Sequence, residues 1–145
     1  MSFDMTIKGA DELDRKLSQM EPKIAKKHMA KALRAGAKLV LQATRARVPV
    51  LTGALKQSLA VRVGKRKRGR KEQSIQVLID TKKVPELVTI GKDGKRYFYP
   101  AAIEYGTRRM AAKPFMRPAF DASKMEALNA TMIALRNAID QEATK

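Results

Sequence analysis

The segment from Pro22 to Val48 constrains this chain most. Met29, Leu33, Gly36, Val40, Thr44 and Val48 recur at helical spacing and make one apolar stripe. Pro22 suits the first turn of a helix, and Pro49 ends it, because a proline disfavours the helical state of the residue before it. An unbroken helix over this span is about 40 Å long at about 1.5 Å per residue. A helix that long, apolar along one stripe, needs a second layer to cover it, and that requirement organises the rest of the chain. Many of its Lys and Arg side chains face away from the stripe. His28 lies beside it and reads as a partly buried or solvated helix residue.

The flanking segments supply the second layer. Ser2 to Lys8 alternates loosely (Phe3, Met5, Ile7) and reads as a short strand ended by Gly9. Asp11 to Met20 reads as a short helix with Leu13 and Leu17 on one side and acids in its first turn. After Pro49, Thr52 is a candidate N-cap for one helical turn. Leu59, Val61 and Val63 then alternate as a strand, with Ile75 to Ile79 as its partner. Val84 to Ile90 reads as a further strand, with Pro85 marking an edge or a start. Gly91-Lys92-Asp93-Gly94 reads as a turn and Arg96 to Tyr99 as the returning strand. Pro100 to Tyr105 suits a short helical turn, and Gly106 to Pro114 a loop. A last helix begins at Pro118, or at a capping box formed by Ser123 and Glu126. Its seam is Met125, Leu128, Met132, Leu135 and Ile139. The expected fold is α+β. A long N-terminal helix and a C-terminal helix pack on one face of a mostly antiparallel sheet of about four strands, in a single domain over residues 1–145. A chain of this size buries roughly 68% of its unfolded surface, enough for a core without covalent staples.

Composition removes most chemistry. The chain has no cysteine and one histidine, so disulfides, thiolate metal sites, histidine-pair metal sites and a serine–histidine relay beyond His28 are excluded. The fourteen acids are scattered, which gives no support to a two-carboxylate hydrolase. Glu21-Pro22-Lys23 is the only Glu-x-Lys and has no convincing upstream strand aspartate, so a metal nuclease is unsupported. Gly91-Lys92-Asp93-Gly94 lacks both phosphate-loop spacings. The expectation is no catalytic residue, no metal and no cofactor. No stretch of 18 apolar residues exists, so no membrane span is expected. The N-terminus lacks the plan of a signal peptide, which points to the cytoplasm.

The charge is the remaining strong signal. The formal net charge is +17, which favours a polyanion, an acidic protein surface or anionic lipid as a partner. Residues 119–145 hold 3 basic and 4 acidic groups, so the excess belongs elsewhere and the last segment reads as a packing element. The densest run is Lys65, Arg66, Lys67, Arg68, Arg70 and Lys71, bracketed by Gly64 and interrupted by Gly69. It reads as a solvated hairpin tip. It could contact phosphates with a strong salt dependence, or order against an acidic neighbour. It contains no aromatic residue, and the whole chain has three Tyr and four Phe, so base stacking is weakly supported. The readings that remain are a structural assembly protein and a basic nucleic-acid-binding module without enzymatic activity.

Two segments go further. One is Val48-Pro49-Val50-Leu51-Thr52-Gly53-Ala54-Leu55-Lys56-Gln57-Ser58, following the long basic helix. The other is Tyr99-Pro100-Ala101-Ala102-Ile103-Glu104-Tyr105-Gly106-Thr107, followed by Met110 to Ala119 with its Pro114-Phe115-Met116-Arg117-Pro118-Ala119. In order and spacing they resemble a family of small tail-component or neck proteins of long-tailed double-stranded DNA phages, also described as head–tail joining or tail-completion proteins. The family pattern is Pro-x-x-Thr-Gly-x-Leu-x-x-Ser, a variable hairpin, Glu-aromatic-Gly-Thr, and Pro-Phe-aliphatic-x-Pro-Ala. Met116 stands where the family often has leucine, a volume-conserving change. The resemblance implies a non-enzymatic virion part, made in the host cytoplasm and assembled as a homo-oligomeric ring at the neck or tail end. Its implied partners are neck, tail-terminator or tail-tube proteins, with non-specific DNA contact as a further possibility. The residues carrying it are Pro49, Thr52, Gly53, Leu55, Ser58, Glu104, Tyr105, Gly106, Thr107, Pro114, Phe115 and Pro118, as interaction or fold positions. Under that reading Thr52 caps the turn, Gly53 bends the chain and Leu55 docks under the sheet. Glu104 salt-bridges the long helix or a neighbour, Gly106 takes positive φ, and Phe115 wedges its loop onto the core or a neighbour.

Overall fold

The structure, a computed structural model, describes residues 9–50, 53–64 and 73–145. The expected Ser2–Lys8 strand, Thr52 and the basic run Lys65–Lys71 lie outside the described residues. The two helices read near the start are present as α1 (Ala10–Gln19) and α2 (Pro22–Arg47), the latter with Pro22 in its first turn and Val48 as its extended C-cap. A short α3 (Ala54–Ser58) leads into strand β1 (Leu59–Val63), which pairs antiparallel with β2 (Ile75–Ile79) in the register Leu59↔Ile79 to Val63↔Ile75. Strands β3 (Val88–Ile90) and β4 (Arg96–Phe98) form a second antiparallel pair, followed by α4 (Tyr99–Tyr105) and α5 (Met116–Ala143).

The fold is α+β, with the long helices packed on small antiparallel sheets. Among the described residues the strands form two separate pairs rather than one sheet of about four. The reason lies at Val84–Ile90, expected as one strand. Pro85–Leu87 is instead a 3-10 turn. Such a turn has about three residues per revolution, which puts Val84 and Leu87 on one side, and both are buried. Only three residues are left to pair as β3.

Helices α2 and α5 run antiparallel. Ala32 of α2 packs with Leu135 and Ile139 of α5, while Leu41 and Val48 lie in the same cluster as Met116. They cross at Gly36, where an added Cβ would meet Thr131 Oγ1 and come within 2.5 Å of the Ala127 carbonyl oxygen. This close approach decides which face of α5 is buried. Ala119, Ser123, Ala127, Leu135, Ala138 and Ile139 are buried, whereas Met125 of the expected seam is exposed. Small residues every fourth position let the backbones approach, and the bulky side chains flank that track. The expected starts of the helix are also corrected. α5 begins at Met116, and the Ser123 hydroxyl donates to the Ala119 carbonyl (2.7 Å) inside the helix rather than capping it.

Two clusters hold the core. Around the C-terminal end of α2, Val48, Leu55, Leu59, Leu87, Ile103 and Phe115 pack together. At the other end, Leu13 of α1 closes over Ala32, Leu135 and Ile139. His28 Nε2 is 3.1 Å from Glu142 Oε1 there, joining the start of α2 to the end of α5.

Candidate interaction surface

The corner from α2 to β1 is built by the first motif. Gly53 takes a left-handed conformation (φ +73°) immediately before α3, with nothing near the position of an added Cβ, so backbone conformation rather than space favours glycine here. Leu55 is buried against Leu59. Ser58 is fully buried, and its hydroxyl donates to the Leu55 carbonyl at 2.7 Å. The Ser58 carbonyl in turn accepts the Asp80 N–H at 2.7 Å, extending the β1–β2 pairing, and the Arg45 guanidinium donates to the Leu59 carbonyl at 3.2 Å. Pro49 is half-buried at the exit from α2.

The second motif is organised by Glu104. Its Oε2 accepts the N–H groups of Phe115 (2.8 Å) and Met116 (3.0 Å), and its Oε1 accepts that of Arg117 (3.1 Å). These are the donors that the start of a helix leaves without intrahelical partners. The N-cap residue of α5 is Phe115, which has no side-chain acceptor, so α5 is capped from α4. Burial pushes the Glu104 carboxyl up. The three N–H bonds and the Arg117 charge outweigh it and hold the carboxyl below its ordinary value. Both oxygens of Glu104 are thus engaged at the N-terminus of α5.

The intervening loop is compact. Gly106 has φ +76°, and an added Cβ would lie 2.8 Å from the Ala112 nitrogen. Thr107 and Met110 form an isolated antiparallel bridge, and the Lys113 N–H donates to the Ile103 carbonyl at 2.8 Å. This folds the loop back so that Phe115, 0% exposed, drops into the core against Ile103 and Leu55. Pro114 on one side is exposed and Pro118 on the other half-buried. Thr107, Arg108 and Arg109 are exposed at the tip.

Sequence reasoning missed where the remaining aromatics go. Tyr97, Phe98, Tyr99, Tyr105 and Phe120 are all exposed large side chains, as is Ile90 at 77%. They sit on β3, β4, α4 and the first turns of α5, among Lys92, Lys95, Arg96, Arg108 and Arg109, all exposed. The β3–β4 hairpin, which carries Ile90, Tyr97 and Phe98, is braced at its turn by Asp93. That carboxylate accepts the Tyr97 hydroxyl (2.8 Å) and the Lys95 N–H (3.1 Å). The Tyr97 hydrogen bond, and to a lesser degree the backbone ones, hold the Asp93 carboxyl below its ordinary value. Aromatic residues with Arg are the types enriched where proteins meet. The signal available in sequence was the bunching of Tyr97, Phe98, Tyr99 and Tyr105 within nine positions.

Among the described residues, no helix is long and apolar enough to cross a membrane, and no three His, Asp or Glu side chains cluster as metal ligands. No curated protein and no solved structure matches the chain. Residues 11–106, about two thirds of the chain, match the model of the family described as "Bacteriophage HK97-gp10, putative tail-component". The matched span contains the long helix, the Pro49–Ser58 corner, both hairpins and the Glu104-Tyr105-Gly106 turn, and ends before Pro114–Ala119. The chain therefore belongs to the HK97-gp10-like family of bacteriophage tail components.

Proposed function

We propose that this tail component acts in head–tail joining or tail completion. It assembles as a homo-oligomeric ring at the neck or tail end, contacts neighbouring neck, tail-terminator or tail-tube proteins, and carries out no reaction of its own. The observation that carries this reading is the use of the aromatic residues. Only Phe115 of those described is buried, and the others lie on a basic outer surface of short hairpin and helix ends. A chain with three Tyr and four Phe that leaves five of them outside has placed its best adhesive side chains where another protein can cover them. Glu104, the carboxylate most embedded in the motif, is committed to capping α5, a structural duty.

The +17 charge fits a ring in an environment rich in polyanions. An acidic partner ring is the better match for the basic run at Lys65–Lys71. Strong phosphate attraction would slow the passage of DNA through a conduit, and such attraction falls steeply with salt. The test is electron microscopy of particles made without this protein, with sedimentation of the purified chain. Unjoined or incomplete tails, restored by supplying the protein, and ring-sized species support the proposal. A monomer that binds duplex DNA tightly at physiological salt, with particles unaffected by its loss, supports a nucleic-acid-binding module instead.

A further inference from the structure

Helix α2 carries eight Lys and Arg and no Asp or Glu. Six of them, Lys23, Lys27, Lys31, Arg34, Lys38 and Arg45, are exposed and fall within about 80° of one another round the helix, at about 100° per residue. None of the six has an ion pair among the described residues. Arg34 lies two positions from both Ala32 and Gly36, which meet α5, so the stripe points away from α5. The outer side of α5 has the opposite character. Met125 lies two positions from both Ser123 and Ala127, which are buried, and so faces away from α2. Along that side Asp121, Met125, Ile133 and Asp140 are exposed, with Glu126 at the margin. Met125 and Ile133 are 53% and 62% exposed, large apolar side chains with nothing over them.

We propose that the basic face of α2 in one copy packs against the outer face of α5 in the next, a contact that rests on the ring reading above and names the surfaces that would close it. The two faces lie on opposite sides of the α2–α5 pair. A contact between them is therefore head to tail, the kind that generates rings when the rotation closes. Within one copy α2 and α5 are antiparallel. Rotation about an axis along the helices keeps every α2 parallel to every other, so the α5 that meets a neighbouring α2 runs antiparallel to it.

The charges fit that direction. Counted back from Arg45, Lys38 and Lys27 lie about 10 and 27 Å along α2 at about 1.5 Å per residue. Counted forward from Asp121, Glu126 and Asp140 lie about 8 and 28 Å along α5. An antiparallel approach thus faces Arg45 with Asp121, Lys38 with Glu126 and Lys27 with Asp140. Glu126 makes no ion pair among the described residues. Asp121 and Asp140 have only exposed ones, to Lys124 at 3.6 Å and Lys16 at 4.0 Å, which hold them weakly. The lysine stems can cover Met125 and Ile133 while their charged ends reach the acids. Burial of those two residues would supply affinity, and the charges would set register and partner choice. The Asp121 end adjoins Phe120 of the exposed aromatic surface.

The test uses two full-length variants in sedimentation velocity. One carries Lys27→Glu, Lys31→Glu, Arg34→Glu and Lys38→Glu, and the other Asp121→Lys and Glu126→Lys. Each alone sets like charges together and should associate about a hundredfold or more weakly than the parent. Mixed, each supplies the face that the other lacks, and the mixture should recover the oligomer. The milder pair Lys38→Glu and Glu126→Lys should follow the same rule with smaller losses, which guards against misfolding of the fuller variants. Either variant forming the parent's oligomer alone overturns this contact and leaves the ring reading standing, as does a mixture that stays monomeric. A parent chain that is itself monomeric overturns both. An α2 variant that keeps the parent's oligomer but loses binding to duplex DNA assigns the stripe to phosphates and overturns the contact as well.

Discussion

Removing the Glu104 carboxylate tests the arrangement at the heart of the second motif. A side-chain acceptor at a helix N-terminus is worth about 0.5–2 kcal/mol, and a negative charge there adds about 0.3–1 kcal/mol. Three N–H groups converge on Glu104, which favours the upper part of that range. The side chain is partly open to water, which screens its charge and favours the lower part. We therefore expect Glu104→Ala to cost about 2 kcal/mol. Glu104→Gln keeps an amide oxygen that can accept and should cost about 1 kcal/mol. For a chain of this size, about 2–4 °C is lost per kcal/mol, so Glu104→Ala should melt about 4–8 °C below the parent at neutral pH. The assay is thermal unfolding followed by far-ultraviolet circular dichroism across pH. The carboxyl is held below its ordinary value in the folded chain. Its contribution is therefore complete above the unfolded value of about 4.3 and is lost as pH falls through the lower folded value. The gap between parent and Glu104→Gln should narrow over that acid window. A Glu104→Ala protein that melts with the parent, or a gap that stays constant through the acid range, would refute the capping role.

Gly36→Ala should be destabilising by about 1–3 kcal/mol in urea unfolding, from overpacking against Thr131 and Ala127. A solvent-facing helical glycine would gain about 0.5–1 kcal/mol from the same change, so the sign of the result decides whether the helices cross here. Phe115→Ala empties a fully buried site and should cost about 3–5 kcal/mol by the same measurement; unchanged unfolding and unchanged tail completion would reject its wedge role. Replacing Lys65, Arg66, Lys67, Arg68, Arg70 and Lys71 together with Ser should leave the melting temperature unchanged, and a large drop would show that this run packs. Tyr97→Ser with Tyr105→Ser should cost the monomer no more than about 0.5–1.5 kcal/mol, the loss of the exposed Tyr97–Asp93 hydrogen bond, yet weaken association in sedimentation. Unaltered association would remove these residues from the contact.

The parts of the fold legible in sequence were those punctuated by proline and glycine. Pro22 and Pro49 bracket α2, and Gly91 to Gly94 mark the β3–β4 turn, because both residue types act on the local backbone whatever surrounds them. The first hairpin was legible from the period of Leu59, Val61 and Val63. The face of α5 was not. A search for large apolar residues favours Met125, but what covers Gly36 is a track of alanine, serine and threonine, whose value lies in how close they let α2 come. The capping of α5 was equally hidden, since Glu104 lies eleven to thirteen residues before its three donors and meets them only after the loop folds. The trace it left was indirect: a long helix beginning at Phe115-Met116 with no Ser, Thr, Asp or Asn to cap it. The exposed aromatics were discounted because their number is small, whereas their placement carries the information.

The account rests on this chain working by assembly. The most direct measurement is infectivity and negative-stain imaging of phage grown without it and with it supplied in trans. The account predicts particles whose heads and tails fail to join or whose tails end incomplete, rescued by the parent protein and poorly by the Tyr97→Ser, Tyr105→Ser variant. Normal, infectious particles built in its absence would contradict it.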